Sequence, residues 1–163
     1  MSIPTHRIDA RATRDRRSRR IEAVRAGWGT TLLFRPDLVM RAFHGVHDDA
    51  KSRTVARILG ARHLVQAVSS GVRPSAEVLA MGVWVDAVHA LTALGLALVD
   101  RRRARAGLTD AAVAALWATA GNHDLGGATQ TPSSRRSVRD RLAVLVLSHV
   151  PVGRALLRKG GYR

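Results

Sequence analysis

With 163 residues, the chain has the length of a single domain. It contains no cysteine, which excludes disulfide bonds and thiolate metal sites. Its formal net charge of +15 comes from 27 basic and 12 acidic residues, and every basic residue except Lys51 and Lys159 is arginine. A charge of this size favours anionic lipid headgroups or nucleic acid as partners.

The N-terminal segment of the chain is strongly basic. Residues 1–20 hold seven arginines and two aspartates without apolar periodicity, so a disordered basic tail is predicted. Residues 21–34 predict a helix that ends before Pro36, and its apolar part is too short to cross a membrane alone. Residues 36–43 then predict a second, short amphipathic helix.

The longest apolar stretch, residues 78–99, organises the rest of the chain. A helix over residues 50–72 precedes it, and Ser75 is the predicted N-cap after the intervening turn. As a helix this stretch is about 33 Å long, close to the thickness of a bilayer's hydrocarbon core. A basic cluster follows that is typical of the cytoplasmic end of a membrane span and would set its topology: Arg101, Arg102, Arg103 and Arg105.

The helix over residues 78–99 has two different faces. One face carries small and polar residues: Gly82, Asp86, His89, Ala90, Ala93 and Ala97. The other carries bulky apolar residues: Met81, Trp84, Val88, Leu91, Leu98 and Val99. In a membrane the small face would contact other helices and the bulky face would meet lipid. One central aspartate costs roughly 2.5–3.5 kcal/mol of insertion free energy, so a soluble bundle stays an alternative.

The last third of the chain predicts shorter elements. Gly107 indicates a break, and Thr109 is the predicted N-cap of a helix over residues 111–120. We therefore divide the chain into a tail at 1–20, a helical bundle at 21–121, and a final segment at 122–163. That segment is predicted to be a polar loop followed by a short apolar helix and a basic tail.

Three stretches carry a resemblance: WGTTLLFRP at residues 28–36, ARILGARHLVQA at 56–67 and VDAVHALTALGLALVDRRRARAGLTDAAVAAL at 85–116. Together they resemble a group of uncharacterised small bacterial proteins that look like four-helix integral-membrane proteins. The resemblance covers residues 22–121. It implies a membrane location and a helical bundle, and it implies no reaction.

Motifs for catalysis or cofactor binding are missing from the sequence. It has no Gly-rich phosphate loop, no nucleophile elbow and no HEXXH motif. Asp86 and His89 lie three residues apart, a spacing that suits a metal site or a proton relay, but a polar contact with a neighbouring helix is favoured. We therefore predict no enzyme, no metal and no cofactor.

A buried ion pair between Arg62 and Asp86 is the most specific prediction. If the helices over residues 50–72 and 76–100 form an antiparallel hairpin, these two residues lie almost equally far from the turn. Each charge needs the other, because a lone charge in an apolar bundle is costly. Gln66 and His89 are the predicted supporting polar residues.

These patterns predict an all-α fold: a small antiparallel bundle of about four main helices, embedded in a membrane, with basic disordered tails. The predicted function is that of a multi-pass protein of the bacterial inner membrane with a structural or accessory role. Its predicted partners are anionic lipid headgroups, and a protein partner or a second copy of the chain. The alternative is a soluble basic helical protein that binds nucleic acid or a protein.

Overall fold

The computed structural model describes residues 5–44, 50–70, 74–126, 128 and 137–162, with side chains for all of these except residues 5–19 and 44. This part of the chain is helical and contains no β-strand, as predicted. In chain order the helices are α1 (Thr5–Phe34), α2 (Pro36–Val39), α3 (Ala50–Ser70), α4 (Ala76–Val99), α5 (Ala104–Leu125), α6 (Val138–His149) and α7 (Gly153–Lys159). A π-helical turn, Met40–His44, follows α2, and a 3-10 turn, Arg101–Arg103, joins α4 to α5.

The N-terminal segment differs from the predicted disordered tail. Residues 5–20 continue α1 without a break, and residues 1–4 lie outside the described part of the chain. No glycine or proline occurs between Thr5 and Ala26, and alanine and arginine are among the best helix formers, so nothing in this segment interrupts the helix. The final residues, predicted as a basic tail, also form a helix, α7.

Ser75 starts α4 as predicted, because its side chain accepts a hydrogen bond from the backbone N–H of Val78. The start of α5 differs from the prediction: the helix begins at Ala104 and passes through Gly107 and Thr109. The Thr109 hydroxyl donates to the Arg105 carbonyl 2.9 Å away inside the helix and does not cap it. The helix also runs past residue 121 to Leu125, and the rest of the predicted loop is described only at residues 126 and 128.

The four long helices form two tightly packed antiparallel pairs. In the α1–α3 pair, a Cβ on Gly60 would lie 2.6 Å from the Gly29 carbonyl oxygen, so only glycine fits at this crossing. In the α4–α5 pair, a Cβ on Gly107 would lie 2.7 Å from the Ala93 carbonyl oxygen. Gly107 is therefore a site of close helix packing and not a helix break. The two pairs contact each other through long side chains, because α3 and α4 have few residues close together.

The C-terminal helices α6 and α7 form a hairpin against the first half of α4. The Ser75 hydroxyl donates to the buried carboxylate of Asp140 over 2.7 Å, which ties the N-terminus of α4 to that of α6. At the other end of α6, Trp84 Nε1 donates to the Pro151 carbonyl over 3.1 Å. The main apolar core lies between these helices and the end of α5. Its buried members are Ala76, Ala80, Leu125, Leu147 and Leu157.

In the central parts of the long helices, charged side chains are buried or half-buried and many apolar ones are exposed, whereas the first turns of α3 expose Lys51, Arg53 and Arg57. We name four stretches the apolar belt: residues 21–34 of α1, 58–70 of α3, 76–99 of α4 and 106–122 of α5. Every exposed side chain within these described stretches is apolar, glycine, serine or threonine. Every Arg, Asp or Glu in the belt is buried or half-buried: Glu22, Arg25, Arg62, Glu77, Asp86 and Asp110.

Among the described helices, only α4 is long and apolar enough to cross a membrane by length and composition. Several such helices are needed for a multi-pass protein, so this criterion supplies no support for the predicted multi-pass arrangement. The predicted orientation of the two faces of α4 holds from Asp86 onward: Asp86, Ala93 and Ala97 are buried, while Leu91, Leu98 and Val99 are exposed. It is wrong in the first half of α4, where Met81 and Trp84, predicted for the outer face, are half-buried against the apolar core. Only 22% of the most apolar part of α4 is buried.

Candidate functional site

Asp86 lies at the centre of the site, fully buried on the inner face of α4. The predicted pair is present: Arg62 Nη2 donates to Asp86 Oδ1 over 2.8 Å. The predicted support from Gln66 is also present, because its Nε2 donates to the same oxygen over 3.2 Å. Both partners project from α3, so one carboxylate oxygen links α3 to α4 across the two helix pairs.

A second arginine, which the sequence analysis did not identify, reaches Asp86 from α1. Arg25 Nη1 lies 3.0 Å from Asp86 Oδ2, and its side chain is almost fully buried. Its Nε lies 3.6 Å from the Glu22 carboxylate, one turn earlier on the same helix. The guanidinium carbon also lies 5.1 Å from the centre of the Trp117 ring on α5, within the range of a cation–π interaction.

All four long helices therefore contribute to one cluster, which we name the ionic cluster. Its members are Glu22 and Arg25 on α1, Arg62 and Gln66 on α3, Asp86 on α4 and Trp117 on α5. The formal charges of its two arginines and two carboxylates sum to zero. This balance matters because an uncompensated buried charge costs several kcal/mol, on the order of 3–5 when one partner of a pair is removed.

A cavity of about 20 Å³ lies beside the ionic cluster and is lined by residues of α1, α3, α4 and α5. Four buried atoms near it have no hydrogen-bond partner among the described residues: Glu22 Oε2, Arg25 Nε, Asp86 Oδ2 and Trp117 Nε1. A single water molecule fits a polar cavity of this volume. Pockets for organic ligands are far larger, about 300–1,000 Å³, so the cavity is too small for a substrate.

The other predicted site residues take separate positions. His89 is half-buried on α4 and makes no hydrogen bond to the ionic cluster among the described residues. Arg101 and Arg102 are exposed, Arg103 is half-buried, and Arg105 is exposed in the first turn of α5. These four arginines lie at the end of the bundle opposite Ser70 and Ser75. In the described part of the chain, no three His, Asp or Glu side chains are placed to hold a metal ion.

Arg25, Glu22 and Trp117 are the members of the ionic cluster that sequence reasoning missed. Arg25 and Glu22 do carry a local signal, because they lie three residues apart just before the apolar run at residues 26–34. Charges in that position are typical of the inner face of a buried helix. Trp117 carries no comparable signal, since an aromatic residue in an alanine-rich helix is compatible with many environments.

Comparison with known proteins adds no family. The chain matches no protein-family model, no curated protein and no solved structure. The resemblance to small bacterial four-helix membrane proteins therefore stays a prediction from three sequence stretches.

Proposed function

We propose that this chain is a small integral-membrane protein whose helices α1, α3, α4 and α5 lie in the bilayer, with a structural or accessory role. The observation that carries the proposal is the apolar belt, in which every charged side chain turns inward. In water, charged side chains would lie on the surface and bulky apolar ones inside. In lipid the same chain gains by exposing Leu91 and Leu116 and by pairing its charges within the bundle.

The inward charges also explain why α1, α3 and α5 do not have the composition of membrane spans. The mean hydropathy of a helix is taken over all of its residues, whichever face they occupy. Arg25 and Arg62 lower this mean for α1 and α3 although Arg25 is buried and Arg62 is half-buried. Within the proposal, Asp86 satisfies both arginines, and the parts of the apolar belt in these two helices, 14 residues in α1 and 13 in α3, cross only part of the hydrocarbon core.

The ends of the bundle support contact with anionic headgroups. One end exposes Arg35, Arg41, Arg101, Arg102 and Arg105. The α6–α7 hairpin exposes Arg139, Arg141, Arg154, Arg158 and Lys159. We assign this hairpin to the membrane–water interface, where arginine and lysine side chains reach the headgroups.

A structural or accessory role agrees with the chemistry of the ionic cluster. Its charges are matched, two of its side chains are almost fully buried, and the adjoining cavity admits no organic substrate. Such a cluster fixes the positions of the four long helices relative to one another. We therefore propose no catalytic activity for it.

The test uses the cysteine-free chain to place one cysteine at a time. Leu91 on α4 and Leu116 on α5 are both 69% exposed, and Val138 at the start of α6 is 74% exposed. In native membranes, a membrane-impermeant maleimide should label Val138→Cys and leave Leu91→Cys and Leu116→Cys unlabelled until detergent is added. Equal labelling of all three without detergent would overturn the proposal.

Nucleic-acid binding is the alternative, and the continuous basic helix at residues 5–20 is the observation that favours it. Sodium carbonate extraction of the host membranes distinguishes the proposed membrane location from a soluble chain that binds nucleic acid. The proposed function predicts that the chain stays in the pellet. Recovery in the supernatant, together with salt-dependent binding to duplex DNA, would favour the alternative.

A further inference from the structure

An open groove of about 310 Å³ lies between α3, α4 and α6. Its walls are mainly apolar, and the larger side chains that form them are Val65, Val78, Met81, Val85, Leu142 and Val146. This volume falls in the range of small-molecule sites, about 300–1,000 Å³. The groove adjoins the small polar cavity of the ionic cluster, because Ser70, Val78 and Gly82 line both.

Polarity changes along the groove in one direction. Arg139 lies at the end of the groove next to the N-termini of α4 and α6, where its Nη1 donates to the Ser69 carbonyl. Its Nε lies 3.8 Å from the Asp140 carboxylate, and its side chain is 45% exposed, so the outer edge of the guanidinium faces the mouth of the groove. From Val78 to Val85 the groove follows α4 for about 10 Å, two turns of helix, and this part is apolar except for Gln66 on α3.

We propose that this groove binds one acyl chain of an anionic phospholipid, with the lipid phosphate at Arg139. A guanidinium at the mouth and an apolar trough behind it match the two halves of such a lipid. The inference rests on the proposed membrane location, because only there is the groove next to a bilayer. The position of Arg139 in the interfacial α6–α7 hairpin places the phosphate at the level of the other headgroups.

Gly82 forms part of the groove and gives a way to fill it. A Cβ at this position would meet only Gln66 Nε2 at 3.8 Å, an ordinary van der Waals distance. A leucine here therefore enters the space beside Gln66, where the groove adjoins the small cavity, without displacing the backbone, and the thermal midpoint of this variant reports whether the ionic cluster is also disturbed. Gly95 on the same helix has nothing within 4 Å of its Cβ position and does not line the groove, so it provides a matched control.

The experiment measures lipid retention by the full-length chain in mild detergent, using native mass spectrometry. The probes are phosphatidylglycerol and phosphatidylcholine with identical acyl chains. Wild type and Gly95→Leu should retain one phosphatidylglycerol in preference to phosphatidylcholine. Gly82→Leu should weaken the first phosphatidylglycerol by about tenfold, because the leucine occupies the trough.

A second pair of variants tests the headgroup contact. Arg139→Gln should remove the preference for phosphatidylglycerol, a loss of about tenfold for one charge-assisted hydrogen bond. Arg141→Gln removes an exposed arginine of the same helix that does not line the groove, and it should keep the preference. Equal lipid retention by Gly82→Leu and Gly95→Leu, or by Arg139→Gln and Arg141→Gln, would overturn the inference.

Failure of this inference is distinguishable from failure of the membrane location. If the chain stays in the carbonate pellet and Leu91→Cys is protected, but the matched variants bind lipid equally, the membrane location is retained and the groove proposal is overturned. A chain recovered in the carbonate supernatant loses the membrane location, and with it the basis of the groove proposal.

Discussion

Asp86 is the residue on which the two helix pairs converge. Arg62 binds one carboxylate oxygen and Arg25 lies beside the other, so a single negative charge serves two cations on two helices. Arg25 has a second carboxylate nearby in Glu22, whereas Arg62 has only Asp86 as an ion-pair partner among the described residues. Removal of Asp86, Arg62 or Arg25 is therefore expected to lower the free energy of unfolding by different amounts.

Asp86→Asn should be the most destabilising single change in the ionic cluster. It leaves two buried guanidinium groups with one carboxylate, so we expect a loss of roughly 3–5 kcal/mol in unfolding free energy. Arg62→Met should cost less, because Arg25 still neutralises Asp86. Thermal unfolding of the purified chain measures both, with the exposed Arg20→Met as a control that changes little.

The double variant Arg62→Met/Asp86→Leu should lose less than the sum of its single changes. It removes both members of one pair and leaves Arg25 with Glu22 at 3.6 Å. Strict additivity in the thermal midpoints would show that Arg62 and Asp86 do not interact, in contradiction to the 2.8 Å contact.

At the scale of helices, replacing glycine with alanine should have opposite effects on stability at Gly60 and Gly27. Gly60→Ala places a methyl group 2.6 Å from the Gly29 carbonyl, so α1 and α3 must move apart and stability falls. Gly27→Ala meets nothing within 4 Å and should stabilise the helix by roughly 0.5–1 kcal/mol. The pair of thermal midpoints should therefore move in opposite directions from wild type. Two shifts of the same sign would argue against the described crossing.

The N-termini of α4 and α6 share the carboxylate of Asp140. Burial alone would raise the pKa of Asp140, but hydrogen bonds from Ser75 and Ser137 and the charge of Arg139 outweigh it, so the pKa is lowered. A carboxyl group with a lowered folded-state pKa stabilises the fold above its ordinary pKa of about 4 and loses this contribution as pH falls below it.

Asp140→Asn should therefore destabilise the chain at pH 7, by about 0.5–2 kcal/mol as for the loss of an N-cap. The difference from wild type should shrink as pH falls below about 4, because the wild-type carboxylate becomes protonated. Urea midpoints at several pH values measure this. Asp37→Asn is the control: its ion pairs with Arg35 and Arg41 are solvent-exposed, and it should have little effect at any pH.

Sequence reasoning succeeded where the information was local. The Ser75 cap and the Arg62–Asp86 contact both follow from one helical hairpin, in which distance along the chain fixes the register. The prediction at Gly107 was wrong, because a glycine is usually taken as a helix breaker when the helix that packs against it is unknown. Sequence reasoning missed Arg25 because 61 residues and an intervening helix separate it from Asp86, and no periodicity connects the two.

At the scale of the whole molecule, both ends of the bundle are basic. Three helices, α1, α3 and α4, connect the N-terminal segment to Arg101, so the two lie at opposite ends, as simple alternation requires. Tyr162 packs with Ala76 and Leu125, which places the C-terminus at the end opposite Arg101. With the bundle in a membrane as proposed, a reporter on the C-terminus of the full chain reports the side opposite Arg101–Arg105.

If the cluster Arg101–Arg105 is cytoplasmic, an alkaline phosphatase fused to the C-terminus should be active in the wild type. If this cluster sets the orientation although the opposite end carries more basic residues, replacing all four of its arginines with glutamine should move the C-terminus to the cytoplasm. A fluorescent-protein fusion, which matures only in the cytoplasm, is the complementary measurement. An inactive phosphatase in the wild type would contradict the orientation.

The shared carboxylate of Asp86 also sets an order of events during synthesis. Arg25 and Arg62 leave the ribosome before Asp86, and 24 residues separate Arg62 from it. At about 5–20 residues per second, the first helix pair waits roughly 1–5 s with two cations and only Glu22 between them. Until α4 arrives, the α1–α3 pair lacks the carboxylate that neutralises its second arginine, so the full burial of Arg25 and Arg62 has to follow the synthesis of α4.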